Sequence, residues 1–368
     1  MKFCVIGAGN GGRAFAAYIS SMGHPVNLYN RSFSRIADIK KKGGIKALGE
    51  IKGYFPCSLI TLDLELAVRD VDVILIVVPA SAHKDIAEKI VHYLSQDQII
   101  LLNPGRTFGA VEFRRIIEKK GISFPIFIAE TQTLLFTSRQ LKKNGVKILK
   151  IKELVDFAAF PNKDTFFVYD TLKDIIPQLN PVDDYLEMTL NNIGMLLHPT
   201  VSLLNAGAMD CGKEFKFYAE GATSQICEIL EIIQDEFNRI FEILGLKQFR
   251  FCKWVNKSYG VKQKCIYDAI QNINAYDNIN APKQLITRYF TEDVPTGLVP
   301  ISSLAKLLEV ETPLIDSVIN LSSILCGIDF RSEGRTIEEL EIIDYIKKRA
   351  VSKQEICNLE QSSIKTKI

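Results

Sequence analysis

The chain turns on glycine within its first dozen residues, and few features constrain a fold more. Lys2-Phe-Cys-Val-Ile-Gly-Ala-Gly-Asn-Gly-Gly-Arg13 sets four apolar residues, Phe3 to Ile6, before Gly7, Gly9 and Gly12. That is the G-x-G-x-x-G spacing of a dinucleotide-binding turn. Gly7 permits a tight exit from the strand, and Gly9 lets the backbone approach a pyrophosphate. Gly12 lets the next helix pack closely on the sheet with its positive end toward the phosphates. Asn10 lies inside the turn, and Ala14, Ala16 and Ala17 predict the helix that follows. A purely structural glycine turn is the alternative, and the strand-turn-helix order argues against it.

Alternating strand and helix patterns continue to about residue 175, predicting a Rossmann-type, doubly wound parallel α/β sheet. Strands are expected at residues 2–6, Val26–Asn30, Val73–Val78, Gln98–Leu102 and Phe124–Ala129, with shorter ones at Val146–Lys150 and Phe166–Tyr169. Beyond Pro177 helical periods take over. Ser224 to Gly245 carries Ile226, Ile229, Leu230, Ile233, Phe237, Ile240, Phe241 and Leu244 on one stripe. The expected division is a dinucleotide-binding domain over 1–178 and a mainly α-helical substrate domain over 179–368, meeting at a cleft that closes on substrate. The tail from about Gln354 is polar and is expected to fray.

Composition narrows the function. The 368 residues are 47% hydrophobic and 24% charged with a net charge of +2, which gives no reason to expect nucleic acid or membrane partners. The run Lys40-Lys41-Lys42 reads as a solvated helix end, and no apolar run is long enough to span a membrane. The N-terminus is already structural, leaving no room for a signal peptide. Eight scattered cysteines without a C-x-x-C pair read as reduced thiols in a cytoplasmic protein, with Cys4 in the core. The four histidines, 24, 83, 92 and 198, have no metal-ligand spacing, so no metal site is expected.

The second strand ends in Asn30-Arg31-Ser32, where an NAD-type site carries an acid about 20 residues past the glycines. Nothing there repels a 2′-phosphate, and Arg31 with Ser32 suits one, so NADP(H) is expected over NAD(H). The alternative is an NAD enzyme in which Asn30 bonds the ribose and Arg31 is a surface residue. Val78-Pro79-Ala80, at the carboxyl end of another strand, is expected to line the cofactor.

His198 is the leading acid/base candidate. A helix starting at Asp183 or Asp184 puts Leu186, Leu190, Ile193 and Leu197 on one stripe and Glu187, Asn191, Gly194 and His198 on the next. Pro199 then interrupts the ladder, leaving the imidazole near a helix C-terminal end, which favours its charged form. A satisfied, non-catalytic histidine remains an open alternative. His24, His92 and His83 have weaker settings. A second cluster, Arg288-Tyr-Phe-Thr-Glu-Asp293-Val-Pro-Thr-Gly-Leu298, reads as a turn with acids beside it. It is either a solvated loop or the source of a carboxylate for an imidazole and an arginine for a substrate carboxylate.

With these residues in view, the chain resembles the opine dehydrogenases, including octopine and nopaline dehydrogenases, over most of its length. The resemblance rests on Gly7-Ala-Gly-Asn-Gly-Gly12, Leu102-Asn-Pro-Gly105 with Gly109-Ala-Val-Glu-Phe113, and Glu130-Thr131 followed by Arg139. It continues through His198-Pro199 with Asn205, Phe217-Tyr-Ala-Glu-Gly221, and Arg288-Tyr-x-Thr-Glu-Asp293-Val-Pro-x-Gly-Leu298. It implies reductive condensation of an L-amino acid amine with a 2-keto acid, often pyruvate, through an imine reduced by a nicotinamide hydride. It assigns His198 as the acid/base group and Asp293 as its partner, with Arg288 as a cofactor or substrate-carboxylate contact. Arg139, Tyr218 and Trp254 are further candidates for lining the cleft, with ordinary packing as their alternative. Asn30-Arg31 departs from the acidic ending of NADH-using relatives. The stretch from Lys247 to Lys283 matches only at Trp254 and Tyr259-Gly260, leaving the amino acid unread. The partners implied are small molecules, and a homodimer stays open. The competing readings are a glycerol-3-phosphate or 2-hydroxyacid-type dehydrogenase, which usually presents a lysine where His198 stands, and a nucleotide-binding redox sensor without turnover.

Overall fold

The computed structural model describes residues 1–351 and divides the chain into two compact units, Met1–Leu190 and Asn191 onward. The tail expected to fray lies outside the described residues.

The first unit contains β1 (Phe3–Ile6), β2 (Val26–Tyr29), β3 (Gly44–Gly49), β4 (Gly53–Pro56), β5 (Leu59–Thr61), β6 (Val73–Ile76), β7 (Ile99–Leu102), β8 (Phe127–Thr131), β9 (Phe136–Gln140), β10 (Gly145–Ile151), β11 (Val155–Ala159) and β12 (Leu179–Pro181). Its helices are α1 (Asn10–Ser21), α2 (Phe33–Lys42), α3 (Leu64–Val68), α4 (His83–Ile90), α5 (Gly109–Lys119), α6 (Thr165–Leu172) and α7 (Tyr185–Leu190). One sheet runs β12-β11-β8-β7-β6-β1-β2-β5, parallel from β5 to β8, with β11 antiparallel to β8. Phe3 pairs with Val26 on one side and Val73 on the other, so the strand order reverses across β1. Every residue of β1, β6 and β7 is buried, as strands covered on both faces must be. This is the expected Rossmann sheet.

A second sheet, β4-β3-β10-β9, is built from the connection after β2 and the hairpin after β8. Helix α1 packs against both sheets, which explains why it is buried from Gly11 to Ile19. Its Phe15 ring meets Phe136 of β9 edge-on at 4.8 Å. Arg13, 2% exposed, ties the layers together: it donates to the carbonyls of Ala8 (3.1 Å), Lys143 (2.8 Å), Gly145 (3.2 Å) and Arg35 (2.9 Å).

Three expectations need correction. The strand placed at Phe124–Ala129 is β8, which begins at Phe127, past Pro125. Val146–Lys150 is a strand, but it belongs to the second sheet. Phe166–Tyr169 is not a strand: it lies in α6, where Thr165, Val168 and Leu172 are buried at helical spacing while Phe166 and Phe167 face outward. Their aromatic, β-prone character concealed a period of 3.6.

The second unit is helical: α8 (Ile193–Leu204), α9 (Ala206–Asp210), α10 (Ser224–Ile243), α11 (Phe251–Tyr259), α12 (Ile266–Gln271), α13 (Arg288–Thr291), α14 (Val299–Leu307), α15 (Pro313–Cys326) and α16 (Phe330–Glu333). Helix α10 starts on a Thr223 cap and stops before Gly245, as its stripe predicts. Its buried Glu236 accepts from the backbone N–H groups of Leu314 and Ile315, capping α15. Among the described residues no helix is long and apolar enough to cross a membrane, and no group of His, Cys, Asp and Glu could hold a metal.

Replacing Arg13 with Met should destabilise the protein by about 3 kcal/mol, because carbonyls of the glycine turn, α2 and the β9–β10 hairpin lose charge-assisted donors. Urea denaturation should show a lower midpoint with an unchanged slope. An unchanged midpoint would mean that the guanidinium contributes nothing to joining the layers.

Candidate active site

The glycine turn has the geometry its spacing requires. Gly7 has φ +112°, and a Cβ there would lie 2.3 Å from the Val77 carbonyl oxygen. A Cβ on Gly12 would lie 1.7 Å from the Gly7 carbonyl oxygen, so α1 can follow β1 this closely only with glycine. Gly9 caps α1 without a side-chain bond, and a Cβ built on it meets nothing within 4 Å. The helix N-terminus therefore faces open space suited to a pyrophosphate, and the residues present fit a dinucleotide. Asn10 accepts from the Gln140 N–H (2.8 Å) and the Ser138 hydroxyl (3.0 Å), fixing α1 to β9. Asn30 accepts from the Ala8 N–H (3.1 Å) and donates to the Ser32 carbonyl (3.1 Å), bracing the turn from β2. Arg31 and Ser32 are exposed at the start of α2, Val78 is half-buried and Pro79 is exposed beyond β6.

In the second unit, His198 is the hub of a buried polar line. Its Nδ1 lies 2.7 Å from Asp293 Oδ2 and its Nε2 3.0 Å from the Tyr218 hydroxyl. The imidazole is 14% exposed and the carboxylate 1%. Burial, reinforced by Tyr289 and Asp293, raises the Tyr218 phenol well above its usual range. The hydroxyl stays protonated and donates. With Nδ1 donating to the carboxylate, Nε2 is the acceptor, and the tautomer is fixed. The Tyr289 ring stacks on the imidazole at 4.4 Å and 22°.

Local packing explains how distant segments meet. The helix expected from Asp183 onward is two helices: α7 ends at Leu190, and α8 restarts at Ile193 after Asn191-Asn192. Asparagine favours such a break because its side chain competes for backbone hydrogen bonds. Pro199 lies inside α8, which runs on to Leu204, so His198 is mid-helix and a helix-end dipole does not act on it. Nor is Val294–Leu298 a solvated turn. It is a buried π-helical turn leading into α14. A Cβ on Gly297 would lie 2.6 Å from Met195 Cβ, so glycine lets this turn press onto α8 and bring Asp293 to His198. Asn205 donates to the carbonyls of Val201 and Gly221, anchoring the Tyr218 segment beside α8.

Other candidates scatter. Arg288 is exposed at the start of α13, close enough for its charge to oppose the rise at Tyr218. Trp254 packs on Phe251 and Tyr259, at the far end of an aromatic series in which Tyr276 stacks on Tyr218 at 4.0 Å. Arg139 is exposed on β9 and donates to the Ser138 carbonyl. Sequence reasoning missed Tyr289 and Tyr276. Tyr289 adjoins Arg288 in a quoted motif, whereas Tyr276 lies in a stretch without one. It also missed the work of Glu130, which is fully buried: it accepts from the Ala110 N–H (2.6 Å) and the Thr189 hydroxyl (2.5 Å). Thr189 also accepts from the Phe108 N–H (2.7 Å), so the segment after β7 is pinned at the sheet's carboxyl edge.

A Rossmann unit with an open glycine turn and a helical unit with a buried His–Asp pair define a nicotinamide-nucleotide dehydrogenase. The sequence family described as NAD/NADP octopine/nopaline dehydrogenase, alpha-helical domain, matches residues 181–326, and the N-terminus of NAD-dependent glycerol-3-phosphate dehydrogenase matches residues 2–110. An opine dehydrogenase of Arthrobacter sp. (strain 1C) is 41% identical over 92% of this chain and 94% of its own. Octopine dehydrogenase solved with NADH and L-arginine superposes with a TM-score of 0.79 at 19% identity, over 94% of this chain and 97% of that one. Yersinopine dehydrogenase with NADP+ bound gives 0.75 at 13% identity, over 96% and 99%. The chain belongs to the opine dehydrogenase family, NAD(P)-dependent oxidoreductases acting on CH–NH bonds.

Two variants test the geometry. Gly297→Ala should separate the π-helical turn from α8 and, if the His–Asp pair moves protons, lower kcat at least about tenfold, since small misplacements of reacting groups are costly. Tyr218→Phe should leave the His–Asp pair intact and reduce kcat less than about tenfold. Wild-type kcat in Gly297→Ala would show that the close approach is dispensable.

Proposed function

We propose that this enzyme condenses the amine of an L-amino acid with a 2-keto acid and reduces the resulting imine to a secondary amine dicarboxylate. The observation that carries this reading is the buried line Asp293–His198–Tyr218, with one imidazole nitrogen fixed by a carboxylate and the other facing a neutral hydroxyl. Imidazole is the side chain suited to giving and taking a proton in turn. Asp293 holds its orientation and stabilises the imidazolium, while Nε2 gives and takes the proton. Nε2 first takes a proton from the substrate ammonium, freeing the amine to attack, and returns it as the carbonyl oxygen leaves as water. Substrate competes with the Tyr218 hydroxyl for that nitrogen. Arg288, exposed near Tyr218, receives a substrate carboxylate as a bidentate partner. The nicotinamide, when bound, supplies the hydride. Gly7, Gly9 and Gly12, with Asn10 and Asn30 as braces, hold the pyrophosphate, and Val78-Pro79 lines the cofactor's path.

The cofactor preference is NADP(H). Asn30 is engaged with Ala8 and Ser32. The edge after β2 presents Arg31 and the Ser32 hydroxyl, with no carboxylate among residues 30–32 to repel a 2′-phosphate.

NADPH and NADH oxidation, followed across a grid of 2-keto acids and L-amino acids with each keto acid also alone, tests the reaction. Oxidation should require both partners. Oxidation with a keto acid alone would make the enzyme a simple ketone reductase. Arg31→Ala should raise the NADPH KM about tenfold or more while leaving that for NADH nearly unchanged. An unaltered preference would remove the 2′-phosphate from this edge.

A further inference from the structure

The second sheet meets the nucleotide turn through Gln140, the last residue of β9. Its backbone N–H donates to Asn10 Oδ1 (2.8 Å) at the start of α1, and its side-chain Oε1 accepts from the Arg35 guanidinium (3.4 Å) in the first turn of α2. The Arg35 backbone is held as well. Its N–H donates to the Ser32 carbonyl (3.1 Å), and its carbonyl accepts from the Arg13 guanidinium (2.9 Å). Arg35 is thus held by both main chain and side chain while remaining exposed. Gln140 is a neutral acceptor, and among the described residues neither Arg35 nor Arg31 forms an ion pair with a carboxylate.

The charge along this edge favours an anion. The first 37 residues contain Lys2, Arg13, Arg31 and Arg35 and no Asp or Glu. Ser32 makes no side-chain capping bond, so its hydroxyl is not spent on α2. Asp63, which follows β5 beside the end of β2, is engaged in capping α3 through the Leu66 N–H (3.1 Å). Ordering a long cationic side chain costs rotamer entropy, and the bond to Gln140 offsets part of that cost before any ligand arrives. The same contact sets a register. A single ribose separates the pyrophosphate of a dinucleotide from a 2′-phosphate. The line Asn10–Gln140–Arg35 ties a cation beside the end of β2 to the turn that faces the pyrophosphate.

We propose that Arg35 is a second guanidinium ligand, beside Arg31, for the 2′-phosphate of NADP(H), and that Gln140 is its positioning residue. The inference rests on the NADP(H) reading. A phosphate dianion is matched by two guanidinium forks better than by one. The second sheet thereby takes part in choosing the cofactor, through a residue 105 positions away from the arginine it orients.

The test titrates NADPH and NADH calorimetrically into the full chain, as wild type, Arg31→Ala, Arg35→Gln, Arg35→Lys, Gln140→Ala and the double variant Arg35→Gln/Gln140→Ala. In Arg35→Gln the NADPH Kd should rise about 10- to 100-fold, the scale of a lost charge-assisted contact, with the NADH Kd within about twofold of wild type. Arg35→Lys, which keeps the charge without the fork, should recover part of the loss. Gln140→Ala should raise the NADPH Kd about 3- to 10-fold and leave that for NADH unchanged. The double variant should bind NADPH no more weakly than Arg35→Gln alone, because Gln140 acts through Arg35. An NADPH Kd unchanged in Arg35→Gln but raised in Arg31→Ala overturns the proposal and leaves the NADP(H) reading standing. Equal weakening of both nucleotides in Arg35→Gln also overturns it. Additive losses in the double variant, or wild-type NADPH affinity in Gln140→Ala, overturn the positioning role. A wild type that binds NADH as tightly as NADPH sinks the preference itself. Arg35 is then judged on NADPH alone, upheld by a weakening that spares NADH and overturned by no change.

Discussion

In the proposed reading, the chemistry of the helical unit depends on one buried carboxylate reaching one imidazole. Asp293 and His198 are 95 residues apart and meet at 2.7 Å. The carboxylate is 1% exposed, so its charge is tolerated because it is hydrogen-bonded, and the imidazole supplies one of those bonds. Several features of the surrounding sequence serve this contact. Asn191-Asn192 separates α7 from α8, Gly297 admits the π-helical turn against Met195, and Asn205 ties the Tyr218 segment to the end of α8. Tyr289 stacks on the ring and Tyr218 meets its Nε2 at 3.0 Å.

The nucleotide-binding unit solves a different problem, how to hold a glycine-rich helix rigid when most of its buried side chains are small. Helix α1 is locked between two sheets. Phe15 packs on Phe136, and Arg13 gathers carbonyls from the turn, from α2 and from the β9–β10 hairpin. Space remains in front of Gly9, where a phosphate would sit. Rigidity behind the turn and vacancy before it are what a preorganised anion site needs.

Legibility followed the range of the interaction. The glycine turn and the buried strands around it could be read because each follows from neighbours in sequence: Gly7 and Gly12 are required by contacts within β1, α1 and the loop after β6. Helix α10 was legible for the same reason, its stripe being long and regular. What was not legible depends on partners far along the chain. The second sheet joins β3 to β10 across about a hundred residues and shows no local signature beyond short apolar runs. The break before α8 needs two asparagines to outweigh a continuous apolar stripe. Tyr276 carries no motif, and its setting emerges only when Tyr218 is brought alongside.

The central claim is that His198 and Asp293 act as one proton-transferring unit. Its most direct test measures turnover with both reactants present and, separately, NAD(P)H affinity, in His198→Ala and Asp293→Asn. The account predicts that turnover falls about 10²- to 10⁴-fold in each, the scale of a lost general acid/base, while nucleotide affinity stays within about threefold of wild type. Turnover close to wild type in either variant, or a matching collapse of nucleotide binding, would contradict it.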